Sequence, residues 1–209
     1  MLGAITSPHI HLFYTDLLAN HNRYRYKRAL EMETLTLDWH GPYKFEQLLK
    51  SPELERQFSC PGVYLWKENN SGNESIAYIG KAGGSPTLFK RHLQHYMGYL
   101  GGTYLIPKEF RRSSKEWALN LRKNEVVSTI FDLSKFKELV EEGFEYTKHL
   151  SIYMAKAPRE KTANIERNLL YSINPSRTHW GTKSKPGAEI SINHIGTLSD
   201  DELQRQNDR

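Results

Sequence analysis

The sequence predicts an α+β fold, a small three-stranded, mostly antiparallel sheet flanked by helices, with an N-terminal extension and a central helical insertion. Three observations lead there. Two short runs, 63–66 and 76–80, have strand character and are joined by the polar loop 67–75 with its Asn69-Asn-Ser-Gly-Asn73 turn signal, the pattern of an antiparallel hairpin. Leu150, Ile152 and Met154 alternate with polar or smaller neighbours in a further strand. Helical periods follow the hairpin at 88–96 and the later strand at 162–173, where Ile165, Leu169 and Ile173 recur at i, i+4 and i+8.

Taken in order, residues 1–60 read as an extension packing on the core. It carries a basic aromatic stretch at 22–28, in which Arg23, Arg25, Lys27 and Arg28 interleave with Tyr24 and Tyr26. Cations for phosphates and rings for stacking make it a candidate nucleic-acid surface, with a solvated face beside two packed tyrosines as the alternative. Leu35, Leu37 and Trp39 alternate against Thr34, Thr36 and Asp38 as a strand does, His40-Gly-Pro42 is expected to break it, and a short helix over 45–54 is interrupted at Ser51-Pro52. In the hairpin, Tyr64 and Trp66 face opposite to Val63 and Leu65. Ser85 fits an N-cap and Pro86 the first helical position of the helix that follows.

Residues 97–148 form the insertion, with helical segments near 114–129 and 134–142. The core spans 61–180. Beyond it, 181–187 is a basic loop, 188–195 an edge strand, and the chain from Ser199 is expected to be disordered.

Composition limits the function. The single cysteine, Cys60, excludes an internal disulfide and every multi-cysteine zinc site. No apolar run approaches the roughly 20 residues that span a bilayer, and the start lacks a secretory pattern, so a soluble, cytoplasmic protein with no membrane segment is expected. The net charge is +5, and the tail 199–209 contributes −2, leaving +7 on the rest, a bias that suits a polyanionic partner.

On the helix after the hairpin, at about 100° per residue from Phe89, Leu93 and Tyr96 stay on the same side while Arg91 and His95 fall near 200° and 240°. A guanidinium can hold a phosphate bidentately, and an imidazole one turn on can bond or protonate a neighbouring oxygen. The pair therefore suits phosphoryl transfer, and a solvated polar face is the alternative.

The hairpin pattern is itself distinctive. Gly62-Val63-Tyr64 is followed fourteen residues on by Tyr78-Ile79-Gly80, then Lys81, then the helix bearing Arg91. In this the sequence resembles the GIY-YIG nuclease superfamily, whose two name-giving tripeptides lie on a hairpin followed by a helix with an essential arginine. The family's core closes with a third strand and a helix carrying a metal-binding glutamate, and Ile165-Glu166-Arg-Asn-Leu-Leu170, with Pro175 nine residues past the glutamate, matches it.

The resemblance implies that Tyr64 and Tyr78 point into an active site, one of them positioning or deprotonating the attacking water. Arg91 would hold the scissile phosphate, His95 would occupy a position where the family often has His or Tyr, and Glu166 would bind Mg²⁺ or Mn²⁺. Lys81 would lower a tyrosine's pKa or contact phosphate. A carboxylate is a hard oxygen ligand suited to Mg²⁺, and a phenol with a pKa near ~10 acts as a base only where cations stabilise its phenolate. Without the resemblance, the tyrosines read as packing residues and Glu166 as a partner for Arg167 or the neighbourhood of Lys161. The chain departs from the family at Thr178, where many relatives have asparagine; Asn174 or Asn193 are the candidates to supply the amide.

The implied function is metal-dependent endonucleolytic cleavage of DNA, by water attack in line with the leaving 3′ oxygen. The compact chain resembles type II restriction enzymes of that family best, which extends the expectation to restriction-modification and allows a homodimer that cuts both strands. The alternative is a catalytically inactive nucleic-acid-binding module of the same fold, motivated by the missing asparagine. A protein-interaction adaptor is a third class, and it would show no salt-sensitive DNA binding.

Overall fold

The computed structural model describes residues 33–70, 72–101, 104, 106, 132–173 and 190–204. Arg23, Arg25, Lys27 and Arg28, the segment 114–129, Asn174, Thr178 and the loop 181–187 lie outside the described residues.

The chain is α+β, but among the described residues its sheet has five strands where three were expected. They are β1 (Glu33–Tyr43), β2 (Gly62–Asn70), β3 (Asn73–Ala82), β4 (Leu150–Lys156) and β5 (Ile190–Gly196), in the order β3-β2-β4-β1-β5. The hairpin and β4 form the expected antiparallel trio, with Tyr64 opposite Gly80 on one side and Met154 on the other. The two extra strands come from the flanking segments: β1 pairs antiparallel with β4, and β5 lies parallel to β1 at the edge. The apolar alternation of β1 explains its place, because Leu37 and Trp39 are buried in one cluster with Val63 and Leu65. His40-Gly-Pro42 does not end β1; the strand reaches Tyr43 with an irregular register between His40 and Tyr43.

The loop expected at 67–75 is shorter than its polarity suggested. The hairpin strands extend to Asn70 and from Asn73, and the Gly72 N–H donates to Asn69 Oδ1 at 3.0 Å across the turn.

Helices α1 (Phe45–Lys50) and α2 (Pro52–Phe58) are divided at Ser51, whose Oγ accepts the Leu54 N–H. Helix α3 (Leu88–Leu100) is capped by Thr87, which accepts the Lys90 N–H, and not by Ser85. Helix α4 (Leu133–His149) leads directly into β4 and α5 (Thr162–Ile173) follows it. Helix α6 (Asp200–Gln204) stands where disorder was expected, because Leu198 and Leu203 are buried and Glu202 pairs with the buried Nζ of Lys67. Among the described residues, no helix is long and apolar enough to cross a membrane.

The sheet separates two cores, as strand alternation requires. Val63, Leu65, Tyr153 and Ala155 face the stripe Ile165, Leu169 and Ile173 of α5. Tyr64, Trp66, Leu150, Ile152 and Met154 face the other way, onto Phe45, Leu48, Phe58, Leu88, Phe89 and Tyr146. The candidate site is built at the hairpin on this second face and at its rim.

Candidate active site

Tyr64 is completely buried, and the glycine opposite makes that possible. A Cβ on Gly80 would stand 2.4 Å from Tyr64 Cζ and from its hydroxyl, so the second tripeptide's glycine is the slot for the first tripeptide's ring. Gly62 is equally constrained, since a Cβ there would meet the Ala155 carbonyl oxygen at 2.3 Å and Leu88 Cδ1 at 2.6 Å. We expect Gly80→Ala to lose about 1–3 kcal/mol in urea unfolding, the usual cost of overpacking a filled core. A loss under a few tenths of a kcal/mol would show that Tyr64 yields freely.

Around this ring lies a buried imidazole pair. The Tyr64 hydroxyl and His95 Nε2 are 2.6 Å apart. His92 donates from Nδ1 to the Leu88 carbonyl at 2.8 Å and accepts the Trp66 indole N–H on Nε2 at 3.2 Å, which fixes its neutral tautomer. His92 meets Tyr64 edge-on at 4.6 Å between ring centres, and His95 meets Trp66 at 4.8 Å. Burial lowers the His92 pKa to about 4, partly offset by its hydrogen bond to the Leu88 carbonyl and helped by the Arg91 charge. Burial, with Arg91 and His92 adding, lowers that of His95 to about 2.

The expectation that His95 shares a solvent-facing surface with Arg91 is therefore wrong. The buried face of α3 runs Leu88, His92, His95, Tyr99, whereas Leu93 and Met97 are exposed. Imidazoles on a helix can line a core when neighbours take up their ring nitrogens, as Trp66, Leu88 and Tyr64 do here.

Arg91 stands at the boundary of this cluster, partly buried, with Nη1 donating to Gln94 Oε1 at 3.2 Å. Its charge acts on both Tyr64 and Tyr78, whose rings are 5.9 Å apart. Tyr78 is less buried than Tyr64 and also feels the Glu166 carboxylate, so Glu166 reaches the same place from α5. Lys81 Nζ pairs with Glu166 Oε2 at 2.5 Å across the rim, neither side chain fully buried. This is neither of the alternative pairings, because Lys161 is engaged with Glu33.

The protein neighbours of the two phenols do not, on balance, lower their pKa values. Burial pushes the Tyr64 pKa well above its ordinary value, the neighbouring Tyr78 adds to the rise, and Arg91 only offsets part of it. Burial likewise raises that of Tyr78, against the opposing Tyr64 hydroxyl and Arg91 charge. Lys81 holds Glu166 instead of a phenolate.

Tyr64, Tyr78 and His95 pack together on the α3 side with Arg91 at their boundary, whereas Lys81, which alternates with Tyr78 and Gly80 along β3, pairs with Glu166 of α5 on the other side of the sheet. The two groups meet at the edge strand β3, where the Glu166 charge acts on Tyr78. Asn193 joins neither, for it is exposed on the edge strand β5 with three strands between it and β3. Sequence reasoning missed Trp66 and His92. Their signal was spacing: Trp66 is two residues from Tyr64 on the same strand face, and His92 is one turn before His95.

Glu166 suits a hard divalent cation. Its carboxylate acts on Tyr78, and Mg²⁺ or Mn²⁺ accepts a single protein oxygen while keeping several waters, provided Lys81 yields or shares it. Among the described residues no group of three or more His, Cys, Asp or Glu side chains could hold a metal.

The fold and cluster define an α+β protein with a cationic, tyrosine-rich rim on a mixed five-stranded sheet. In comparisons with known proteins, the chain matches no family model, no curated protein and no solved structure.

Proposed function

We propose that the chain is a metal-dependent endonuclease of the GIY-YIG type that hydrolyses phosphodiester bonds of DNA. The observation that carries the reading is that the charges of Arg91 on α3 and Glu166 on α5 both act on Tyr78, with Lys81 of the hairpin paired to Glu166 at 2.5 Å. Arg91 binds the scissile phosphate through its fork of donors and offsets charge that grows on the phosphoryl oxygens. Tyr78, the more accessible phenol, orients the attacking water with a neutral hydroxyl. Tyr64 and His95 lie behind it and set its position. Glu166 would hold Mg²⁺ or Mn²⁺, and the ion would supply positive charge to polarise the phosphate and make the attacking water more acidic. Water adds to phosphorus, the bond to the 3′ oxygen breaks, and that oxygen leaves with a proton.

Cleavage of mixed-sequence duplex DNA with Mg²⁺ or Mn²⁺ tests this, comparing the wild type with Glu166→Gln. The expected result is discrete fragments from the wild type and a rate reduced on the order of hundredfold or more in the variant, the loss of several kcal/mol that a missing metal ligand implies. Equal rates would remove Glu166 from the site.

A second reading has its own observation. The Lys81–Glu166 pair and the raised phenol pKa values also suit a nucleic-acid-binding module without turnover. Salt-dependent DNA binding with no cutting by any variant, in any metal, would select it.

A further inference from the structure

Among the described residues, Lys50, Lys67, Lys81, Lys135, Lys137, Lys148 and Lys161 each contact a carboxylate, and Lys44 and Arg56 donate to backbone carbonyls. At the sheet end that carries the site, Lys90, Arg91, Lys156, Arg159 and Arg167 have no carboxylate partner among the described residues. Of the acids nearest in sequence, Glu160 is exposed and pairs with none of them, and Glu166, beside Arg167, pairs with Lys81.

Two of these cations are on a single, tightly knit corner. Lys156 closes β4 opposite Gly62, and Gly62 is opposite Ala82, so the ends of β4, β2 and β3 coincide. The Ala157 N–H donates to the Pro61 carbonyl at 3.3 Å, and the Leu88 N–H donates to Cys60 at 2.9 Å. Thr162 Oγ1 donates to the Arg159 carbonyl at 3.0 Å. Gly84, at φ +113°, lets the chain before α3 approach Arg159: a Cβ there would stand 3.4 Å from Arg159 Cδ. Arg159 is thus seated where the segments leading into the Arg91 helix and the Glu166 helix touch, with Lys156 three residues before it.

We infer that Lys156 and Arg159 form a backbone clamp, contacting nucleic-acid phosphates adjacent to the one held by Arg91. The inference rests on the nuclease reading for its substrate. Like charges gathered without counter-charges cost self-repulsion unless a polyanion covers them, and phosphates spaced along a strand meet that requirement. A corner fixed by backbone hydrogen bonds gives the two cations a defined register, which contacts that position a strand require.

The test measures binding of a mixed-sequence DNA duplex by anisotropy at several salt concentrations, with Ca²⁺ in place of Mg²⁺, and cleavage with Mg²⁺ in parallel. The double variant Lys156→Gln/Arg159→Gln is expected to flatten the slope of log affinity against log salt by about 1.8, roughly 0.9 for each lost phosphate contact. Lys137→Gln, on α4, should leave the slope as it is. An unchanged slope in the double variant, with cleavage intact in the wild type, overturns the clamp and leaves the nuclease standing. A flattened slope in a protein that never cuts supports the clamp and overturns the nuclease. No salt-dependent binding by the wild type overturns the clamp outright.

Discussion

Replacement of Arg91 by alanine is expected to lower the single-turnover cleavage rate by about 10³-fold or more, roughly 4 kcal/mol of transition-state stabilisation. Three features of the site lead to that magnitude. The guanidinium is partly buried, so its charge acts through a medium less screening than water. No carboxylate neutralises it among the described residues, and its hydrogen bond to Gln94 fixes the fork without consuming its charge. Its titratable neighbours include the phenols of Tyr64 and Tyr78, both held above their ordinary pKa by burial, so a phosphate arriving there meets an uncompensated cation.

Arg91→Lys should recover little of this. An ammonium is a point charge that cannot present two parallel donors, and on a shorter stem it forfeits the Gln94 contact. Stability should change by under about 1 kcal/mol in either variant, because the group touches the core only at its margin. The measurement is the rate under saturating enzyme with the urea midpoint determined alongside. An alanine variant that cuts within tenfold of the wild type while folding normally would mean that another group holds the phosphate.

Much of this arrangement was legible from local pattern, and the failures share a physical origin. The alternation of Val63, Tyr64, Leu65 and Trp66 assigned each side chain to its proper face, and the spacing of Ile165, Leu169 and Ile173 assigned the packed stripe of α5. Those patterns depend only on the period of one element. The strand count did not, because β1 and β5 join the sheet through pairings such as Trp39 with Gly196, which no window along the chain contains. Helix α6 was missed for a related reason: Lys67 reads as a loop residue until Glu202, 135 positions later, pairs with it.

The candidate site divides in the same manner. Tyr64, Tyr78, Arg91 and Glu166 were named as candidates from the order and spacing of the resemblance, which do not depend on packing. The orientation of α3 was misread because residue type alone marks His92 and His95 as polar. Whether an imidazole is buried is decided by partners for its nitrogens, and those partners, Trp66 and Tyr64, lie on a different element. The surroundings of the phenols divide likewise: a nearby arginine was visible in the sequence, and the depth of burial that raises both pKa values was not.

The buried imidazoles make the fold sensitive to acid in a defined window. His92 is fully buried and its folded pKa is lowered to about 4 from an ordinary value of 6.5, so the folded state resists a proton that the unfolded chain accepts. Above pH 6.5 both states carry neutral His92 and it contributes no pH dependence. As the pH falls below 6.5 the unfolded state is increasingly favoured, and the loss levels off near pH 4, where folded His92 also begins to protonate. The integral is about 3 kcal/mol from this residue, at roughly 1.4 kcal/mol for each unit between the two pKa values. His95, lowered further, continues to lose stability below pH 4. Urea unfolding followed from pH 7 to pH 4.5 reads the effect, and His92→Gln isolates it from the carboxylates that also titrate. A glutamine can accept the Trp66 N–H and donate to the Leu88 carbonyl but takes up no proton, so its stability should decline less than that of the wild type by about 2–3 kcal/mol over this range. Parallel declines in the two proteins would mean that His92 is solvated or already charged in the fold. The cluster behind Tyr64 would then be neither dry nor neutral, and the argument that Tyr64 and His95 act by position alone would fall with it.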